Sequence, residues 1–370
     1  MSGVIDVLNG AAAFWWPYAF HAAWQAALVG VIMLAVVRAL RRRSAPLRYG
    51  LLLVALAKFA IPPMLALPVG VFFWMPEPAQ IQAPVVEDME AVPAVSESGP
   101  ANVARAQSPE LAVPQRAGIG TAVQGAADTH VGESGMQAPP VRSARLNLRG
   151  WLMALHIAGA IMMGGWMLWS LAMLRKTLAS CRPAWEGPVR DAAGRAGEAL
   201  GLRGDAEVFL APGDAAPMAV GLFRPAAVLP ESMAEKLDPA GLEVVLAHEL
   251  AHLRRRDPWV LVLENVLLTL WWFNPVVWML VKSLRRTRED CCDDLVLSLR
   301  LADEHTYCRS LINAASTVAR PGWSPAILGF ADRMHPLGRR LTRLMDTTLR
   351  KPHRLSLAGI AVLAMLAIAA

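Results

Sequence analysis

Residues 248–290, HELAHLRRRDPWVLVLENVLLTLWWFNPVVWMLVKSLRRTRED, decide the fold. The stretch opens on His248-Glu249-Leu250-Ala251-His252. On a helix, positions i and i+4 share a face, so both imidazoles can reach one tetrahedral cation. Glu249, beside the first histidine, suits the general base for a water whose pKa zinc has lowered. A catalytic zinc takes three protein ligands and keeps one position open, and Glu289 at the far end of the stretch is the candidate third. Asp293, four residues on, can hydrogen-bond the far nitrogen of a ligand histidine and fix its tautomer. Between these ends lies an obstacle. Residues 259–281 are long and apolar enough to cross a bilayer, which would part His248 from Glu289 by roughly 30 Å. A zinc–ligand bond is about 2 Å. Asn274-Pro275, an N-cap followed by a first-turn proline, signals a helix restart, and Glu264, Asn265 and Thr269 interrupt the apolar run. The expectation is therefore a helical hairpin, 259–272 and 276–288, buried in the fold or dipped into the inner leaflet, that brings Glu289 back to the histidines.

Upstream, Asp238 as N-cap, Pro239 at the first helical position and apolar Leu242, Val245, Leu246 and Leu250 predict the helix that carries the motif. A helical stretch at 186–201 and two strands, 206–210 and 225–229, precede it. The second strand reads either as a plain structural strand or as the edge on which an extended substrate peptide pairs. No donor for a developing oxyanion stands out; Tyr307 and His335 are the candidates, each read first as a packing or surface residue. Trp259, Trp271, Trp272 and Trp278 read as membrane-interface or core residues.

The remaining chain explains why 55% of the 370 residues are hydrophobic. Residues 19–37, 49–73 and 151–174 can each cross roughly 30 Å of hydrocarbon. Lys58, deep in the second, reads as snorkelling or facing the interior. The tail 355–370 is apolar but short for a span. The first 17 residues lack a basic n-region, so a cleaved signal peptide is not expected. The net charge of +6 is concentrated beside the spans. Arg38, Arg41, Arg42, Arg43 and Arg48 follow the first, Arg175, Lys176 and Arg182 the third, and Arg339, Arg340, Arg343, Arg350, Lys351 and Arg354 precede the tail. One topology puts all these clusters in the cytoplasm, so the charge reflects orientation and argues against direct nucleic-acid binding. Cys181, Cys291, Cys292 and Cys308 all fall on that side, where thiols stay reduced. The expected organisation is two transmembrane helices with a basic cytoplasmic loop (1–74), a disordered Pro- and Ala-rich extracytoplasmic linker (75–148), a third span (149–174), a cytoplasmic peptidase domain (175–354) and a short membrane segment (355–370). The fold class is a mainly α membrane protein with an α+β metallopeptidase domain containing a small β element.

The runs PMAVGLFRPAAVLP (217–230), LEVVLAHELAHLRRRDP (242–258), WWFNPVVW (271–278) and RTREDCCDD (286–294) resemble the membrane-anchored metallopeptidases of the beta-lactam sensor-transducer and methicillin-resistance regulator family. The resemblance covers nearly everything except 75–148. It implies a gluzincin-like fold, zinc on His248, His252 and Glu289, Glu249 as base, and Asp293 supporting a ligand. It also implies a peptidase domain facing the cytoplasm. The family's best-known members respond to an external antibiotic and trigger loss of a cytosolic transcriptional repressor. They carry a penicillin-binding domain acylated at a Ser-x-x-Lys serine, and no Ser-x-x-Lys occurs here, so sensing by acylation within these residues is not expected. Expected partners are the bilayer of a bacterial-type inner membrane, a cytoplasmic protein substrate such as a repressor, and a second copy of the chain if it is a homodimer. The alternatives are a zinc-binding signalling scaffold without catalysis and a housekeeping peptidase trimming membrane proteins. An intramembrane protease of the site-two type would need a Leu-Asp-Gly signature, and the only Leu-Asp, at 237–238, runs into Pro239.

Overall fold

Hydropathy dominates the first three helices, α1 (Ser2–Ala39), α2 (Ala45–Ala60) and α3 (Leu148–Ala179). The computed structural model describes residues 2–60, 145–202, 207–213, 216–317, 337–346, 348, 352 and 354–369. Most of the expected linker, the second half of the 49–73 span and His335 lie outside the described residues. α1 and α3 contain the expected spans 19–37 and 151–174, and by length and composition both can cross a membrane. Phe14, Phe20, Val31 and Ile32 of α1 and Trp151, Ile161, Met162 and Leu168 of α3 are exposed, the apolar outer face that lipid requires. Asn147 starts α3 by accepting the Gly150 N–H at 2.7 Å.

A small mixed sheet follows, built from β1 (Arg182–Pro183), β2 (Glu207–Ala211), β3 (Met218–Val220) and β4 (Ala226–Pro230), with α4 (Pro188–Leu200) between the first two. The strand order is β1-β2-β4-β3. β4 is interior. It pairs with β2 in parallel, Val228 opposite Phe209, and with β3 antiparallel, Ala227 opposite Ala219. The reading of 225–229 as an open edge is thus corrected, because β3 occupies that edge. Gly221 makes this possible at φ +89°, where a Cβ would run into the Arg224 carbonyl. The chain doubles back and pairs a three-residue strand too short for a pattern reading to register.

The second half is helical: α5 (Glu231–Lys236), α6 (Pro239–Arg254), α7 (Asp257–Leu270), α8 (Pro275–Ser298), α9 (Glu304–Thr317), α10 (Leu337–Leu344) and α11 (Leu357–Ala369). Asp238 caps α6 through the Gly241 N–H at 3.0 Å. α6 is buried nearly all round, its Leu242, Leu246 and Leu250 packing with Ala192 and Ala196 of α4, Leu229 of β4, Tyr307 of α9 and Leu344 of α10. A helix apolar on every side belongs at the centre of a core.

α7 and α8 form two helical arms joined by a short turn. Arg256 turns the chain out of α6 at φ 58°. Asn274 then restarts it, its Oδ1 accepting the Val276 N–H at 3.0 Å. Leu267 and Leu268 of α7 and Val277, Leu280, Val281 and Leu284 of α8 pack with Ala26, Met33 and Val37 of α1 and with Leu52, Leu56 and Phe59 of α2. The Trp271 and Trp272 indoles donate to the Phe59 and His156 carbonyls at 3.1 and 3.3 Å, while Trp259 and Trp278 are exposed. Gly159 lets α3 close on Trp272, where a Cβ would have no room. The expected second arm, 276–288, does not end there. α8 runs unbroken to Ser298, so Glu289 and Asp293 sit mid-helix rather than at a solvated helix start. α11 has 13 residues and extends about 20 Å.

Glu264, fully buried on α7, binds Arg285 at 2.8 Å and Arg288 at 3.0 Å across the hairpin. Removing one side of a buried ion pair strands charge in low dielectric. Glu264→Ala is therefore expected to destabilise the protein by about 3 to 5 kcal/mol. Denaturant unfolding in detergent measures it, and an unchanged midpoint would mean that the pair does not hold the hairpin closed.

Candidate metal centre

α6 presents His248 and His252 on one face, ring centroids 5.0 Å apart and perpendicular at 89°. α8, returning from the hairpin, brings Glu289 against both. Its Oε2 lies 3.4 Å from His248 Nε2 and its Oε1 3.6 Å from His252 Nε2. One donor atom from each residue falls within 4.8 Å of the others, so the set could hold a metal ion. All three are buried, and so is Glu249, at 2% exposure. Glu249 lines a cavity of about 80 Å³ together with His248, Glu289, Arg340 and Pro217, the residue before β3.

Hydrogen bonds on the far side of each ring fix the tautomers. The Tyr307 hydroxyl donates to Asp293 Oδ1 at 2.7 Å, so its oxygen is left to accept from His248 Nδ1 at 3.0 Å. His252 Nδ1 lies 2.8 Å from Asp257 Oδ2 and donates to it. Both Nδ1 atoms thus carry the proton, and both Nε2 lone pairs turn towards the Glu289 carboxylate. No proton lies between His248 Nε2 and Glu289, so their 3.4 Å approach is one of two acceptors rather than a hydrogen bond. His252 Nε2 is buried with no hydrogen-bond partner among the described residues. Arg340 reaches His248 Nε2 and Glu289 Oε2, each at 3.5 Å, but leaves His252 Nε2 unserved; such buried acceptors are costly without a cation among them, and here the residues fit a metal.

The surrounding charges keep these roles stable. Burial raises the Asp293 carboxyl, but the Arg340 guanidinium, bonding it at 2.5 and 3.0 Å, outweighs burial and holds it below the usual carboxylate range. Burial likewise opposes ionisation of Asp257, and the hydrogen bond from His252 with the charges of Arg255 and Arg288 reverses it. Burial and the Asp293 charge push the Tyr307 phenol up, so it stays a donor. Cys292 lies 3.4 Å from His252 Nδ1 and 3.6 Å from Asp257 Oδ2, a second grouping of metal-binding residue types. Burial pushes its thiol well up, and His252 Nδ1 already serves Asp257, so this grouping is a hydrogen-bonded support.

His248, Glu249, His252, Glu289 and Asp293 lie together, Tyr307 sits behind His248, and His335 is outside the described residues. Asp293 reaches His248 Nδ1 only at 3.5 Å, with Tyr307 interposed. Tyr307, fully buried behind the ring, cannot touch an oxyanion at the metal, so its candidacy as that donor is corrected to support of His248. Three residues were not anticipated: Asp257, Tyr307 in its actual place, and Arg340, whose Nη1 is 3.5 Å from Glu289 Oε2. Asp257 did carry a signal, as a carboxylate five residues after His252 and just past the helix end. Asp257→Asn keeps the shape and removes the charge behind His252. Metal affinity should fall about 10- to 100-fold, measured by chelator competition on the folded protein. Undiminished affinity would show that Asp257 does not tune the ring.

A buried pair of helix-borne histidines facing a carboxylate from a second helix, with a glutamate next to the first histidine, is the donor chemistry of a metallopeptidase. The chain belongs to the family described as BlaR1 peptidase M56, whose model matches residues 18–344. It is similar to the regulatory protein BlaR1 of Bacillus licheniformis, 35% identical over 81 residues, 22% of this chain and 13% of that protein. It is also similar to the methicillin resistance mecR1 protein of Staphylococcus aureus, 30% identical over 100 residues, 27% of this chain and 17% of that protein. BlaR1 of Staphylococcus aureus is 25% identical over 142 residues, 38% of this chain and 24% of that protein. The matches thus span a quarter or less of the length of these relatives.

Proposed function

We propose that the chain is a membrane-anchored zinc endopeptidase that faces the cytoplasm and cuts a cytoplasmic protein in signal transduction, the substrate being a transcriptional repressor or the chain itself. The single observation that carries this is the convergence of both Nε2 lone pairs and the Glu289 carboxylate from opposite ends of the hairpin. His248, His252 and Glu289 would hold the metal, which supplies Lewis acidity to a water and to the scissile carbonyl. Glu249, lining the same cavity, takes the attacking water's proton and passes it to the leaving amine. Arg340 is the cation nearest an oxyanion formed there, the position for which the sequence offered only Tyr307 and His335. β3, the last strand of the sheet among the described residues, follows the cavity-lining Pro217 and is where an extended peptide would pair. The relatives' names, a regulatory protein and a methicillin resistance protein, support a regulatory role over housekeeping. Basic residues flanking α1 and α3 support the cytoplasmic orientation.

Comparison of cytosolic proteomes from cells expressing the wild type and Glu249→Gln tests this reading. A protein cleaved only by the wild type is expected; bound zinc without any cleaved protein would favour the signalling scaffold.

A further inference from the structure

A second cavity, of about 550 Å³, opens where the loop after α1 meets α10. Arg41, Arg42, Arg48, Arg339 and Arg343 line it, against two carboxylates, Asp290 and Asp346. Two positive charges are left in excess once Asp294, which pairs with Arg343, is counted with them. Asp290 is already shared, reaching Arg48 at 3.2 Å and Arg339 at 2.9 Å. Arg343 turns partly away, to Asp294 at 2.6 Å. Arg41 and Arg42 are exposed, and their guanidinium groups have no hydrogen bond or ion pair among the described residues. Arg48 is only 8% exposed, yet its Nε is buried without a partner. That atom has no accessible surface; the cavity itself offers the exposed Arg41 and Arg42 guanidiniums and surplus positive charge, which call for an anion.

We infer that this cavity is a phosphate site, taking either the headgroup phosphate of an acidic phospholipid or a soluble phosphate. Guanidinium forks match the oxygens of a phosphate in pairs, and the cavity presents arginines only, with no lysine among its lining residues. Its place favours the lipid. Arg41 and Arg42 follow directly on α1, which is apolar enough to span, and Arg48 belongs to α2, against which α11 packs through Leu363 at Gly50. A basic cluster at the cytoplasmic end of a span meets the anionic leaflet there. The anion would also tie α10 to the α1–α2 loop. Arg339 and Arg343 face this cavity while Arg340, between them, reaches into the metal centre.

The test uses the full chain in nonionic detergent, with lipid retention read by native mass spectrometry. The probes are phosphatidylglycerol, phosphatidylcholine and inorganic phosphate. Wild type should retain phosphatidylglycerol in preference to phosphatidylcholine. The double variant Arg41→Gln/Arg42→Gln should bind phosphatidylglycerol roughly 25-fold more weakly, about five-fold for each arginine. Both side chains are exposed, so the lipid-free unfolding midpoint should not move. Arg175→Gln/Lys176→Gln, which removes equal charge at the C-terminal end of α3, should leave retention unchanged. Displacement of the lipid by inorganic phosphate, with binding that depends on the same arginines, would support the site and assign it to the soluble anion. Equal retention by the cavity variant and wild type would overturn the inference. So would an equal loss in the α3 control, since the effect would then be diffuse surface charge.

Discussion

Purified Glu249→Gln should bind one metal ion per chain, as the wild type should, and cleave substrate about 10²- to 10⁴-fold more slowly, the range a positioned general base contributes. The two halves of this expectation come from different atoms. Glu249 is not among the three residues whose donor atoms converge, so the amide leaves both Nε2 atoms and Glu289 in place. It lines the cavity beside them, so the amide removes the only non-ligand carboxylate that touches that space among the described residues. Glutamine has nearly the same volume, and little repacking follows at a position 2% exposed. Metal analysis and single-turnover cleavage on the same preparation check both halves. Undiminished cleavage would remove Glu249 from the chemistry. Lost metal would make it a structural support of the site instead.

Glu289→Ala should act the other way, abolishing metal retention and cleavage together. Loss of a group that merely orients a ligand weakens binding by up to about 100-fold, and loss of a ligand should exceed that. The neighbouring carboxylate is the control. Asp290 shares the helix but points to Arg48 and Arg339 on another side, so Asp290→Ala should keep its metal. Arg340 retains its two bonds to Asp293 in Glu289→Ala, so the centre should stay folded while empty. Stoichiometric metal in Glu289→Ala would mean that the third ligand has been misassigned.

Much of this centre was legible because its signals are local. A two-histidine motif, an Asp-Pro helix start and an Asn-Pro restart each declare themselves within a few residues, and the hairpin followed from requiring that 248 and 289 meet. What escaped depends on contacts distant in sequence. Arg340 lies 92 positions from His248, in a basic run that reads as a mark of orientation. Tyr307 looked like packing because its hydroxyl's two partners, on α6 and α8, are visible only once those helices are set side by side. β3 was hidden because three apolar residues between Pro217 and Gly221 carry no alternation to detect. The long α8 was cut short because its acidic stretch looks solvated, whereas three arginines and a histidine ring bury it.

That unbroken α8 has a mechanical consequence. Its first turns are gripped by α1 and α2, and Glu289 rides on the same rod some twelve residues further along, about 18 Å away. Swinging the gripped end by about 5° would carry the carboxylate roughly 1.6 Å, whereas coordination tolerates about 0.2 Å. A disturbance among the apolar helices would therefore reach the Glu289 carboxylate with no diffusing messenger. The anchor is also the lever.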